Sequence, residues 1–131
     1  MIKTTLFLTL LLVCHYMADF CFTFPVMIKA KADGKNLWPI LLHSFIHAIL
    51  IGLCLLLFGI NWHLMFLLAL LELVSHFLID KAKARLSVCY QYLADMRYKP
   101  NWMLYGFDQL LHQFVVFLIW YCCITNYSNY P

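Results

Sequence analysis

Histidines and carboxylates recur four residues apart in four separate stretches of the chain: His15 and Asp19; His43 and His47; Glu72, His76 and Asp80; Asp108 and His112. On a helix that spacing stacks side chains on one face. Five imidazoles and four carboxylates on converging faces match the donor set of a divalent metal, zinc first, with iron and manganese the other ions that suit it. His15, Asp19, His43, His47, Glu72, His76, Asp80, Asp108 and His112 are therefore candidate metal ligands. These nine exceed the four ligands of one zinc, and four carboxylates balance two divalent ions, so the count points to a binuclear site. Helical bundles build di-metal carboxylate sites in a related way, with a Glu/His pair at i, i+3 in place of the i, i+4 spacing here. Protonation and His–carboxylate pairing are the metal-free alternatives for neutralising the same groups.

These donors must be carried through an unusually apolar chain. Its 131 residues are 65% hydrophobic and only 11% charged, with a mean hydropathy of +0.82, which excludes an ordinary soluble globule. Four apolar runs, residues 4–24, 38–60, 62–79 and 102–124, approach the roughly 20 residues that a helix needs to cross about 30 Å of hydrocarbon. The fold class expected is all-α: a polytopic bundle of four transmembrane helices, occupying residues 1–131 as a single domain. The first run reads as a retained helix and not a signal peptide, because no small-residue cleavage site follows it and it continues through His15 and Asp19. Pro25 closes the first helix, Pro39 opens the second, Pro100 precedes the fourth, and Gly59 to Trp62 form a tight hairpin. Trp38, Trp62, Trp102, Tyr105, Trp120 and Tyr121 fall near helix ends, as an interfacial aromatic belt requires.

Charge sets the orientation. Lys29, Lys31 and Lys35 follow the first helix, and Lys81, Lys83, Arg85, Arg97 and Lys99 follow the third, whereas the hairpin and the C-terminal tail carry none. The positive-inside tendency predicts an inner (cytoplasmic) membrane protein with both termini outside, Lys3 arguing weakly the other way. The basic amphipathic segment 82–98 either extends the third helix or lies along the inner surface, where it attracts anionic lipid headgroups or serves as a solvated loop that fixes topology. Counting about 1.5 Å per residue from the basic ends places all nine donors within roughly 2–15 Å of that face, and none in the other half. A carboxylate at a helix centre costs about 2.5–3.5 kcal/mol to insert, so several together demand compensation.

His15-Tyr16-Met17-Ala18-Asp19 and His76-Phe77-Leu78-Ile79-Asp80 share a pattern 61 positions apart, and the same offset carries His47 onto Asp108. A duplicated helical hairpin would explain this, with the site between the halves; chance similarity of apolar helices is the alternative. The six cysteines have no C-x-x-C spacing and read as small apolar fillers. His63, beside Trp62, reads as interfacial packing. No phosphate-binding loop, Ser-His-Asp order or nucleic-acid motif is present.

On His15-x-x-x-Asp19-Phe20, His43-x-x-x-His47, His76-Phe77-x-Ile79-Asp80-x-x-Lys83 and Asp108-Gln109-x-x-His112, the chain resembles a family of bacterial integral-membrane proteins of unknown function, domain of unknown function 3307. Thr23 departs from the pattern, which has Gln after the Asp-Phe pair. The resemblance implies a membrane fold more than an activity. The chain also looks like membrane-bound metal-dependent hydrolases with His and Asp on helices. Two classes of function follow. In one, a metal-dependent hydrolase acts on a lipid-like substrate near the cytoplasmic interface, with Glu72 as general base. The other is a metal-ion or proton transporter or sensor, or a structural scaffold with a His/carboxylate network. The lipid bilayer is the expected partner, a homo-oligomer stays open, and no nucleic acid is expected.

Overall fold

The computed structural model describes residues 2–127, and every regular element among them is helical. Helix α1 (Ile2–Tyr16) passes directly into a π-helical turn, Met17–Cys21. Then come α2 (Pro25–Asp33), α3 (Trp38–Leu57), α4 (Trp62–Cys89), the single turn α5 (Gln91–Ala94) and α6 (Lys99–Tyr127). Four stretches are long and apolar enough to cross a membrane: Lys3–Cys21, Trp38–Leu57, Trp62–Cys89 and Lys99–Asn126. The four-helix membrane bundle expected from hydropathy is the architecture observed.

The inward stripe of each long helix divides into two halves. In one half Phe7 and Leu11 of α1, Ile51, Cys54 and Leu55 of α3, Leu68 of α4, and Val116, Ile119 and Cys123 of α6 form one buried apolar cluster. On the same faces a turn or two further along, His15, His43, His47, Glu72, His76, Asp80, Asp108 and His112 are buried instead. The outer faces expose Leu53, Phe66, Leu67, Phe114 and Leu118, a density of apolar side chains suited to lipid and not to water. Trp38 and Trp62, the first residues of α3 and α4, are largely exposed, as belt residues should be.

Several boundaries differ from those read off the sequence. The first transmembrane segment ends at Cys21 and not at residue 24, and Pro25 opens a helix as well as following one. Phe24 is extended (φ −93°, ψ 155°), as the residue before proline must be, and Pro25 then supplies a preset first helical φ with no N–H to satisfy. The basic loop after the first span is thus largely the helix α2. The second span stops at Leu57 and not at residue 60, because Gly59 takes the left-handed turn (φ 72°) and Asn61 accepts from the Leu64 N–H to start α4. Helix α4 runs on to Cys89 and not to residue 79: residues 80–89 contain no Gly or Pro and are rich in Ala, Lys, Arg and Leu, which favour helix. Its 28 residues span about 42 Å, well beyond the hydrocarbon thickness, so the first part of the basic segment after the third span continues that helix. α6 begins at Lys99 and not at 102, with Pro100 accommodated in its first turn. Outside the spans, Arg97 pairs with Asp95 at 2.6 Å and holds its carboxyl below the usual carboxylate range.

α2 docks at the basic end of the bundle. Ala30 packs with Ile40 of α3 and Ala84 of α4, two alanines allowing a close approach. Gly34 caps α2 in the left-handed region (φ 62°), where a Cβ would also come within 3.1 Å of Val88 on α4. This docking matters for the site because it carries Lys31 to the mouth of the polar half.

Candidate metal centre

His76 is the hub. Its ring lies 3.6 Å from that of His47 and stacks on His112 at 4.0 Å, with His43 at 5.2 Å and His15 at 5.6 Å, centroid to centroid. Imidazoles from all four long helices thereby form one cluster. Helix α4 contributes Glu72 one turn to one side of His76 and Asp80 one turn to the other, and the two ring nitrogens face them separately. Nδ1 is 3.5 Å from Glu72 Oε1, and Nε2 is 3.5 Å from Asp80 Oδ2.

Three overlapping sets bring one donor atom per residue within 4.8 Å of one another: His15, His47, Glu72 and His76; Asp19, His43, His47 and His76; and His76, Asp80 and His112. In the first, the Nδ1 atoms of His15, His47 and His76 all face Glu72 Oε1, at 3.8, 3.7 and 3.5 Å. Zinc bonds of about 2.0–2.1 Å place tetrahedral ligands about 3.3–3.4 Å apart, a little closer than these three nitrogen–oxygen separations. His15 Nδ1 and Nε2, His47 Nδ1, both nitrogens of His76 and Glu72 Oε2 are buried with no hydrogen-bond partner among the described residues. Buried polar atoms are rarely left so. The donor set, its spacing and these orphaned atoms fit a divalent cation.

The π-helical turn delivers Asp19. Such turns insert a residue into a helix and recur at functional sites; here the Phe22 N–H reaches the Met17 carbonyl at 3.0 Å. Asp19 Oδ2 accepts from Gln109 Nε2 at 3.1 Å, leaving Oδ1 to face His43 Nε2 at 3.2 Å and His47 Nε2 at 3.4 Å. Thr23 stands beside His43. Its hydroxyl donates to the Asp19 carbonyl (2.7 Å), and the same oxygen lies 3.4 Å from His43 Nδ1. His43 Nε2 lies 3.2 Å from both Asp19 Oδ1 and His47 Nε2. A proton serves one contact among these nitrogens and the carboxylate; a cation between them serves all. Outer partners of this kind orient ligands and are worth 10–100-fold in metal affinity. Thr23→Val and Gln109→Leu are each expected to weaken metal binding by about 10-fold with the fold intact, as read by competition with a chelator of known affinity; unchanged affinity in both would remove this supporting role.

Two lysines complete the electrostatics. Lys31 Nζ lies 2.7 Å from Asp80 Oδ2, and Lys83 Nζ lies 2.7 Å from Asp108 Oδ2. Asp108 is thus drawn away from the candidate ligand sets and joins none of them, although its Oδ1 stays 3.6 Å from His112 Nε2. Four carboxylates against two ammonium groups leave two negative charges, where the carboxylates alone suggested four. Sequence alone assigns Lys31 to topology, and Lys83 to topology or headgroup attraction. The position of Lys83, seven residues after His76 and three after Asp80, does place it on the ligand face of α4; nothing local marks Lys31. Thr23 and Gln109 were visible only as members of a pattern, without a role.

Of the nine candidates, eight enter the sets and Asp108 sits behind them; the two pairs of the suggested repeat, His15/Asp19 and His76/Asp80, both contribute. His63 stands apart, exposed and 3.4 Å from the Trp62 ring, as expected. All six cysteines are free, and Cys54 and Cys123 belong to the apolar half.

A bundle of membrane-crossing helices, apolar in one half and lined with histidines and carboxylates in the other, defines the class of this protein. Within that class, the chain belongs to the family described as protein of unknown function (DUF3307), whose model matches residues 7–131 and so covers every candidate ligand. No curated protein and no solved structure matches it.

Proposed function

We propose that the protein binds one divalent metal ion, zinc first, within the membrane near its cytoplasmic face, and uses it to hydrolyse a lipid-like substrate. The carrying observation is the convergence of three imidazole Nδ1 atoms on Glu72 Oε1, none of the three with a hydrogen-bond partner among the described residues. One ion in place of two fits the lysines, since the ammonium of Lys31 already pairs with Asp80 of the third donor set. The basic residues flanking the polar half favour a cytoplasmic setting.

A bound ion of this kind acts as a Lewis acid and generates a nucleophile from water near neutral pH. The chain's own contribution supports a hydrolase in two ways. Glu72 offers Oε1 to the imidazoles and keeps Oε2 unpaired, so one carboxylate can both hold an ion and accept a proton. A cleft of about 250 Å³ between α4 and α6, walled by Leu78, Leu86, Leu104 and Phe107 with Lys83 and Asp108 along it, offers room for the apolar part of an amphiphile beside the centre. Transport through a single chain is disfavoured, because Leu11, Ile51, Leu55, Val116 and Ile119 fill the other half of the bundle without a polar step.

Elemental analysis of gently purified protein tests the centre. One equivalent of metal is expected in the wild type and a small fraction of that in Glu72→Gln; equal contents would refute the assignment. Full occupancy with no turnover of lipid esters or phosphate esters would remove the hydrolase and leave the metal centre standing.

A further inference from the structure

We propose that Lys31 is a resident cation that closes a second metal position, formed by His76, Asp80 and His112, and so keeps the centre mononuclear. The proposal rests on the one-ion reading above.

The second position has its donors in place. His112 Nε2 is 3.7 Å from Asp80 Oδ1, His76 Nε2 is 3.5 Å from Asp80 Oδ2, and His43 Nε2 is 4.0 Å from that same oxygen. His76, Asp80 and His112 are each at least 98% buried, and His76 Nε2 has no hydrogen-bond partner among the described residues. A carboxylate with several imidazole nitrogens is an adequate set for a divalent ion. It differs from the Glu72 set in one respect: an ammonium group already sits 2.7 Å from the carboxylate oxygen that His43 and His76 both face. A divalent ion there would meet a like charge at short range in a poorly screened setting, and that repulsion outweighs a third or fourth ligand bond of modest quality.

Lys31 is also the cation that can leave. Its side chain is 23% exposed while Asp80 is 2% exposed, so the ammonium reaches in from the surface and its four-carbon stem can carry it back out. It rides on α2, a nine-residue helix docked through Ala30 and Gly34, whereas the Asp80 ligand set stands on the long helices α4 and α6. Lys83 is the contrasting case. It neutralises Asp108, which belongs to no ligand set, and so balances charge without covering a metal position.

The test is zinc stoichiometry of the full-length protein in detergent, loaded with excess Zn²⁺, freed of unbound metal and measured by elemental analysis. Lys31→Met is expected to raise the content from one to two ions per chain, with Lys31→Gln doing the same should the methionine variant not fold. Lys31→Arg and Lys83→Met are expected to stay at one, and Lys31→Met/Asp80→Asn to return to one. A well-folded Lys31→Met that remains at one ion overturns the proposal, and so does a gain of equal size in Lys83→Met, which would make total charge and not position the cause. Should the wild type hold no zinc while Lys31→Met holds one, the Glu72 site falls and the lysine lock stands. No zinc in either sinks both.

Discussion

His76→Ala is expected to empty the centre, a larger loss than any other single histidine substitution produces. His76 is common to all three ligand sets, presenting Nδ1 toward Glu72 and Nε2 toward Asp80, whereas His15, His43 and His112 each enter one set and His47 two. Its ring also packs against those of His47 and His112, so removing it deprives the neighbouring imidazoles of the surface that orients them. Alanine keeps α4 helical, so the effect belongs to the side chain and not to the backbone. Metal affinity should fall by at least about 100-fold, beyond the range for an outer-shell partner. His112→Ala, confined to the set that Lys31 covers, should keep its ion. Elemental analysis of the two variants beside the wild type decides this, and His76→Ala with an undiminished metal content would dismantle the hub.

How far the site was legible in the sequence follows from which interactions are local. The i, i+4 pairs were visible because the helical period is a property of neighbouring residues: His43 with His47, or Glu72 with His76 and Asp80, share a face whatever the tertiary fold. Their convergence was also foreseeable, since insertion into lipid forces polar faces inward. Asp108 shows the limit. Its spacing from His112 equals that of the other pairs, yet Lys83 claims it, and only the packing of α4 beside α6 brings that ammonium into reach. Lys31 was less accessible still. Its role requires that α2 be a helix, that Ala30 meet Ala84, and that Gly34 let the chain pass close to Val88, none of which hydropathy registers. The π-helical turn was invisible for a related reason. It depends on the Phe22 N–H choosing the carbonyl five residues back, with the Thr23 hydroxyl donating to the Asp19 carbonyl beyond it. The length of α4 stayed open between an end near residue 79 and an extension beyond it, because apolar length measures the membrane and not the helix; Lys81, Lys83 and Arg85 end a hydrophobic run without ending a helix.

Chelation should lower the thermal stability of the wild-type protein, and the size of the change is tied to the charge count. With Lys31 and Lys83 in place, the polar half retains two uncompensated carboxylates when no cation is bound. Burial of such charges without a partner is what makes broken buried pairs costly. An ion that binds only the folded state stabilises it by about 4 kcal/mol at a free concentration 1,000 times its Kd, enough to move a melting transition by several degrees. The converse follows from the same reasoning. Asp19→Asn/Glu72→Gln removes two negative charges and two oxygen ligands while keeping side-chain size, so its chelated form should melt above the chelated wild type and should gain nothing from added zinc. The variant thereby separates two roles that the carboxylates combine: holding the ion, and destabilising the bundle in its absence. Melting curves for both proteins, with chelator and with excess zinc, give four transitions to compare. A wild type whose transition is the same with and without chelator would mean that protons and lysines already neutralise the carboxylates, and that no cation is built into the fold.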